Sequence, residues 1–312
     1  MITGKLKVLY IAGSGRNGST LLGNILAEVE GFTNVGELID LGWNLAPGRP
    51  PCGCGVPLPD CGRWALVIKE AFGGADASFV ARMHRLGAVE SLRDNITQLA
   101  TPWGARKLHR RLARTLEDLE RLFRAIQKVF KCTVVVDSSK QPMYLHMLQS
   151  IEAIDLRVVH LVRDPRAWAY AFLHRVAREG YVLHMKPLQS CVKWSSGNFA
   201  VEMLTRRLRP RPLRIRYEDF VADPRETILK IVRFTGSEDC TALPFEHEHT
   251  VNLPPHHTVA GNPNRFMTGR IEIRNDEQWA THMKRSHKAL VTAVTLPWLI
   301  RYGYLNPKLS AG

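Results

Sequence analysis

Residues Val8 to Leu26, VLYIAGSGRNGSTLLGNIL, join a short apolar run to a glycine-rich turn and then to apolar residues at helical spacing. Gly13, Gly18, Ser19 and Thr20 fit the frame G-x-x-x-x-G-K-[ST] of nucleotide phosphate loops, except that Ser19 stands where the lysine belongs. A strand, turn and helix of this kind aim main-chain N–H groups and a helix N-terminus at one anion. The lysine that reaches β- and γ-phosphates is missing, and Arg16 lies inside the turn. Magnesium-dependent hydrolysis of a nucleoside triphosphate is therefore disfavoured, and a less charged anion fits better.

The pattern elsewhere is that of an α/β fold, a P-loop-like parallel sheet flanked by helices. Val8–Ala12, Thr133–Val136, Arg157–Val162 and Leu213–Arg216 are short, apolar and branched, as strands buried on both faces should be. Between the first two, Leu112, Leu116, Leu119, Leu122, Phe123 and Ile126 keep a helical period. They predict a helical insert or lid over 78–130 within a single domain spanning 1–312, and the 45% hydrophobic content can supply its core. The Pro- and Gly-rich segment Ala46–Gly62 reads as a long loop near the carboxyl end of the first strand, the end at which such sheets bind ligands.

The formal charge of +14, from 43 basic and 29 acidic residues, implies anionic partners. Runs such as Arg106–Arg111 and Arg206–Arg211 are also what a solvated helix face looks like. No apolar stretch approaches the ~20 residues that span a bilayer. With no signal-peptide pattern at the N-terminus, a cytoplasmic location is the expectation. Cys52, Cys54 and Cys61 are crowded in PPCGCGVPLPDC and read as thiols in a reducing compartment. Their C-x-C-x6-C spacing is not a standard zinc frame and no fourth ligand lies nearby, so no metal is expected. Glu246-His247-Glu248-His249 and His256-His257 match no metal frame either and read as loop residues.

Two further features seek anions at strand ends. Val134–Lys140 runs from a buried strand into Ser138, Ser139 and Lys140. If this strand adjoins the first, Lys140 supplies the cation the loop lacks; otherwise it is a solvated lysine. Val158–Arg166 runs a strand into a helix that begins at Pro165, with Asp164 as its N-cap. Arg163 at that junction either grips an anionic group or pairs with a carboxylate. Glu37, after Val35-Gly36, is either a base or an ordinary residue at a helix start.

Taken together, these motifs resemble those of the sulfotransferases that use 3′-phosphoadenosine 5′-phosphosulfate, in particular the branch of bacterial, carbohydrate and tyrosylprotein enzymes. Gly15-Arg16-Asn17-Gly18-Ser19-Thr20-Leu21-Leu22 is similar to that family's 5′-phosphosulfate loop, and Leu161–Arg166 to its 3′-phosphate segment. Arg216-Tyr217-Glu218-Asp219 is similar to the R-Y-E-D segment, whose tyrosine lies near the adenine. His249, Gly261-Asn262-Pro263, Arg265, Asp276, Trp279 and Tyr302-Gly303-Tyr304 follow the C-terminal pattern. One departure is Ala171, at the position where the family usually has a serine eight residues after the phosphate-binding arginine. Loss of that hydroxyl removes one hydrogen bond to a charged group, worth ~1.5–3 kcal/mol, which Arg163 with Arg265 is expected to offset.

The resemblance implies a metal-independent sulfotransferase fold and activity, with the phosphosulfate donor as co-substrate. Glu37 would be the general base, Arg16 and the loop amides would hold the 5′-phosphate and the sulfonate, and Lys140 would meet the bridging oxygen. Arg163 would take the 3′-phosphate, Tyr217 would pack near the adenine, and Gly261, Asn262 and Arg265 would complete the nucleotide site. The acceptor is expected to be a small molecule, lipid or glycan, with peripheral membrane contact allowed by the basic runs and no specific nucleic-acid partner. A P-loop-type kinase and a non-catalytic nucleotide- or nucleic-acid-binding protein are the alternatives. Neither the acceptor nor the oligomeric state is named by any motif.

Overall fold

In the computed structural model, residues 5–74, 79, 81–83, 102–173, 185–237 and 243–305 of the chain are described. Five strands, β1 (Leu6–Ala12), β2 (Phe32–Gly36), β3 (Val134–Asp137), β4 (Ile154–Val162) and β5 (Leu213–Arg216), form one parallel sheet in the order β2-β3-β1-β4-β5. The four expected strands are all present. The strand missed in the sequence, β2, is a five-residue edge strand whose Thr33 and Asn34 break the apolar run.

Alternation along β1 divides the interior into two layers. Leu6, Val8, Tyr10 and Ala12 face one side, where they share a core with Trp64 of helix α2 (Gly62–Phe72), with α3 (Pro102–Phe130) and with Tyr144 and Leu145 of α4 (Pro142–Gln149). Leu9 and Ile11 face the other, against Leu22, Ile25 and Leu26 of α1 (Ser19–Leu26). The helical stripe in the expected insert is real: Leu119, Leu122, Phe123 and Ile126 of α3 are fully buried in the same core as β1. Residues 78, 80 and 84–101 of that insert lie outside the described residues.

Two helices follow β4. α5 (Pro165–Leu173) starts at Pro165, as the sequence predicts, and α6 (Pro187–Thr205) packs on it. After β5 come a short helix at Tyr217–Ala222, then α7 (Pro224–Phe234). A small antiparallel sheet, β6 (Phe245–His247), β7 (Thr250–Leu253) and β8 (Gly269–Glu272), was not anticipated, because its strands are short and mostly polar. It corrects the loop assignment of His247, which lies in β6. Helix α8 (Arg285–Arg301) closes against α6. The basic runs 106–111 and 206–211 are exposed except for Leu108, which is buried, and Leu208, which is half-buried. No helix among the described residues is long and apolar enough to cross a membrane.

Candidate active site

The glycine-rich turn sits at the carboxyl end of the central strand. Arg16 (φ 66°) and Gly18 (φ 90°) adopt left-handed backbone, the alternation that turns successive amides toward one side. Gly18 also allows close approach, since a Cβ there would come within 2.5 Å of the Tyr217 ring. Ser19 opens α1 and is buried.

Side chains within the loop and downstream of it hold it in this shape. Asn17 donates from Nδ2 to the Leu161 carbonyl of β4 (2.7 Å), and its Oδ1 accepts from the Ser19 amide (3.3 Å). Trp168 of α5 donates its indole N–H to the Gly15 carbonyl. Arg163 donates from Nη1 to the Arg16 carbonyl (3.1 Å), and its own carbonyl accepts from Trp194 Nε1 (3.1 Å). Buried tryptophans need a partner for the indole N–H, and here both N–H groups are used on the site's backbone.

Parallel pairing of β3 with β1 brings the end of β3 beside the loop, as the sequence requires for Lys140 to reach it. Lys140 Nζ lies 3.2 Å from Ser19 Oγ, 2.7 Å from Glu37 Oε1 and 2.5 Å from the Ser138 carbonyl. A cation from another strand thus stands beside the residue that replaces the loop lysine. Lys140 and Glu37 form an ion pair with side chains 10% and 24% exposed.

Beneath them, Asp137 is fully buried at the end of β3 and accepts from Ser139 N (2.8 Å), Ser139 Oγ (2.6 Å) and Tyr144 OH (2.9 Å). Burial pushes its carboxyl up to about 6, with the hydrogen bonds from Ser139 and Tyr144 and the charge of Lys140 opposing. Ser139 Oγ in turn accepts from the Ile39 amide (3.1 Å), which anchors the turn carrying Glu37. The sequence places Ser138 and Ser139 at the end of this strand but does not single out Asp137 as the acceptor for Ser139 and Tyr144.

Arg163 resolves its two alternatives in favour of a carboxylate partner in this state: Nη2 pairs with Asp276 Oδ2 at 3.0 Å, and the guanidinium carbon lies 4.7 Å from the Tyr217 ring centre. Its Nε is buried without a hydrogen-bond partner. Tyr217 is half-buried and rests on Gly18. Ala171 lies on α5 and is half-buried. Gly261 and Asn262 reach the loop: the Asn262 amide donates to Thr20 Oγ1 at 3.4 Å, and a Cβ on Gly261 would lie 3.9 Å from Glu37 Oε1. Arg265 is buried, and its two Nη atoms donate to the carbonyls of Gly261 (2.8 Å) and Pro51 (3.1 Å). Those bonds tie the late segment to the loop that carries Pro51.

The crowded cysteines have a neighbour that their local sequence does not reveal. His257 Nδ1 lies 3.3 Å from Cys61 Sγ and 4.0 Å from Cys52 Sγ, across 196 and 205 residues of chain. The expectation that no fourth ligand lies nearby is thereby corrected, since folding supplies what sequence proximity does not.

With this geometry, a P-loop-like sheet whose anion cradle is completed by a lysine from β3, comparison with known proteins is informative. A family model described as "Sulfotransferase family" matches residues 9–240, and the chain belongs to that family. No match was found among curated proteins. Among solved structures, the chain is similar to the sulfotransferase domain from the Synechococcus PCC 7002 olefin synthase at 18% identity and a TM-score of 0.53, covering 94% of this chain and 95% of that one. It is also similar to a sulfotransferase from Alicyclobacillus acidocaldarius, at 15% identity and a TM-score of 0.45, covering 95% and 94%. At such identities the first likeness speaks for the fold.

Proposed function

We propose that the chain transfers the sulfuryl group of 3′-phosphoadenosine 5′-phosphosulfate to a hydroxyl or amine of a small-molecule, lipid or glycan acceptor, acting in the cytoplasm. The observation that carries this is Lys140 Nζ between Ser19 Oγ and Glu37 Oε1, a cation and a carboxylate together at the mouth of a loop without its own lysine. Sulfuryl transfer needs such a combination: positive charge for the leaving oxygen and a base for the nucleophile.

In this scheme the loop amides and Arg16 receive the 5′-phosphate and the sulfonate. The acceptor oxygen or nitrogen forms a bond to sulfur as the bond from sulfur to the bridging oxygen breaks. Glu37 takes the acceptor's proton, Lys140 stabilises the charge on the departing oxygen, and adenosine 3′,5′-bisphosphate leaves. The Lys140–Glu37 ion pair occupies the base at rest, and engagement of the ammonium by the donor frees Glu37 for the acceptor.

The 3′-phosphate is assigned to Arg163, which would exchange Asp276 for it. The side chain of Asp276 is 46% exposed, so water can solvate the displaced carboxylate. Tyr217, resting on Gly18, is assigned to the adenine side of the cradle. The test is transfer of labelled sulfate from the donor to a panel of glycans, lipids, phenols and amines. One labelled product supports the proposal and defines the acceptor class; magnesium-dependent turnover of ATP with no sulfate transfer would replace it with a kinase.

A further inference from the structure

Cys52, Cys54, Cys61 and His257 bring four donor atoms together within 4.8 Å of one another. The shortest separations are 3.3 Å from Cys61 Sγ to His257 Nδ1, 3.8 Å from Cys54 Sγ to Cys61 Sγ and 4.0 Å from Cys52 Sγ to His257 Nδ1. A tetrahedral zinc ion with its usual bond lengths requires edges of about 3.8 Å between sulfurs and about 3.6 Å between sulfur and nitrogen. The Cys61–His257 edge must open and the Cys52–His257 edge close by a few tenths of an ångström, the Cys54–Cys61 edge already fits, and with every pair inside 4.8 Å no edge has more than about 1 Å to close. All three cysteines are free, and a 3.8 Å sulfur–sulfur distance is far beyond a disulfide bond of about 2.0 Å.

We propose that these four residues form a closed structural zinc site that staples the loop after residue 51 to the late segment lining the active site. This does not depend on the sulfuryl-transfer assignment. Three thiolates and one imidazole select a soft, tetrahedral ion, and with four protein ligands no coordination position is left for catalysis. Metal uptake replaces the thiol protons, which are released to solvent.

The surrounding backbone is built to hold the ligands. The Cys52 amide donates to the Val56 carbonyl and the Gly55 amide to the Cys52 carbonyl, both at 2.8 Å, closing a tight turn around Cys54. Gly53 lies where a Cβ would come within 2.3 Å of Thr258 Oγ1 and 2.6 Å of the His256 carbonyl. Only glycine lets the two segments meet at this distance. Trp64 Nε1 donates to the His257 carbonyl (2.8 Å), and the Phe130 and His257 rings meet edge to face, 6.1 Å between centres. Such outer contacts fix the orientation of a ligating histidine.

The site also has a direct line to the catalytic wall. Two residues past His257, the Val259 amide donates to the Val35 carbonyl (2.9 Å), and the Ala260 carbonyl accepts from the Glu37 amide (3.2 Å). Metal at His257 therefore positions the strip of chain that frames Glu37 and Thr20.

The deciding measurement is the metal content of the full-length protein purified under reducing conditions from zinc-supplemented culture, by elemental mass spectrometry. About one zinc per chain is expected, released by a mercurial thiol reagent. Cobalt(II) exchanged into the site should give tetrahedral ligand-field bands with thiolate charge transfer. His257→Ala should weaken zinc binding by at least about tenfold. Cys132→Ser, at a buried free cysteine that is not one of the four ligands, should leave zinc content unchanged. Metal-free protein that takes up neither zinc nor cobalt, a disulfide between Cys54 and Cys61 in freshly isolated protein, or undiminished zinc in Cys54→Ser/Cys61→Ser would overturn the proposal. Because the wild-type readout needs no variant to fold, a misfolded mutant leaves the outcome decidable.

Discussion

Gly18→Ala isolates the contact that joins the anion loop to the R-Y-E-D segment. A Cβ at Gly18 would stand 2.5 Å from Tyr217 Cδ2 and 2.7 Å from Cε2, in a backbone conformation with φ of 90°. Two costs follow. Left-handed backbone costs an L-residue about 1–2 kcal/mol. The overpacked ring adds about 1–3 kcal/mol, because it must withdraw by roughly 1 Å to regain ordinary contact. The alanine variant should lose about 2–5 kcal/mol in urea unfolding, the sum of those two effects. Removing the ring in Gly18→Ala/Tyr217→Ala should recover the packing part and leave the backbone part, so the double-mutant cycle should show a coupling of about 1–3 kcal/mol. Because Arg163 stacks on the same ring, Gly18→Ala should also weaken titrated adenosine 3′,5′-bisphosphate. Additive single effects, within about 0.5 kcal/mol, would refute the packing argument.

Three other outcomes are expected. Glu37→Gln should abolish sulfate transfer while nucleotide affinity stays within a few-fold; unchanged turnover would remove Glu37 from the mechanism. Arg163→Ala should weaken adenosine 3′,5′-bisphosphate far more than adenosine 5′-phosphosulfate in calorimetry, and equal losses would place the 3′-phosphate elsewhere. Asp137 carries a pH signature: burial raises its folded pKa to about 6, above the unfolded value, so its contribution is fully present below about pH 4 and is lost as pH rises through 6. From pH 4 to 7 the wild type should lose on the order of 2 kcal/mol relative to Asp137→Asn, and parallel stability curves would contradict that.

Which parts of the fold could be read in advance follows from burial. β1, β3, β4 and β5 announce themselves because strands within a parallel sheet are written in Val, Ile and Leu. β2 at the sheet edge and the three-stranded antiparallel sheet are short and polar enough to pass for loops. At the site, the loop and Lys140 were legible because both depend on local motifs and on which strand adjoins which. The partners of those motifs were not. Asp276 meets Arg163 across 113 residues and His257 meets Cys61 across 196, and neither carries a local signal of its destination. Trp168 and Trp194 look like ordinary core residues until their indole nitrogens are followed to the backbone of Gly15 and Arg163.

Those indoles bear on the order in which the protein matures. The cradle's carbonyls are tied by Trp168 and Arg163, Arg163 is itself tied by Trp194, and the Ser14 hydroxyl donates to the Trp194 carbonyl at 3.4 Å. A fragment ending before α6 would contain every glycine of the motif together with Arg163 and Trp168, and would still lack the bonds of Trp194 to Arg163 and Ser14. On the ribosome the loop is thus shaped late: the first twenty-six residues emerge early, but their bracing is complete only once the chain has grown past residue 194 and folded back on itself.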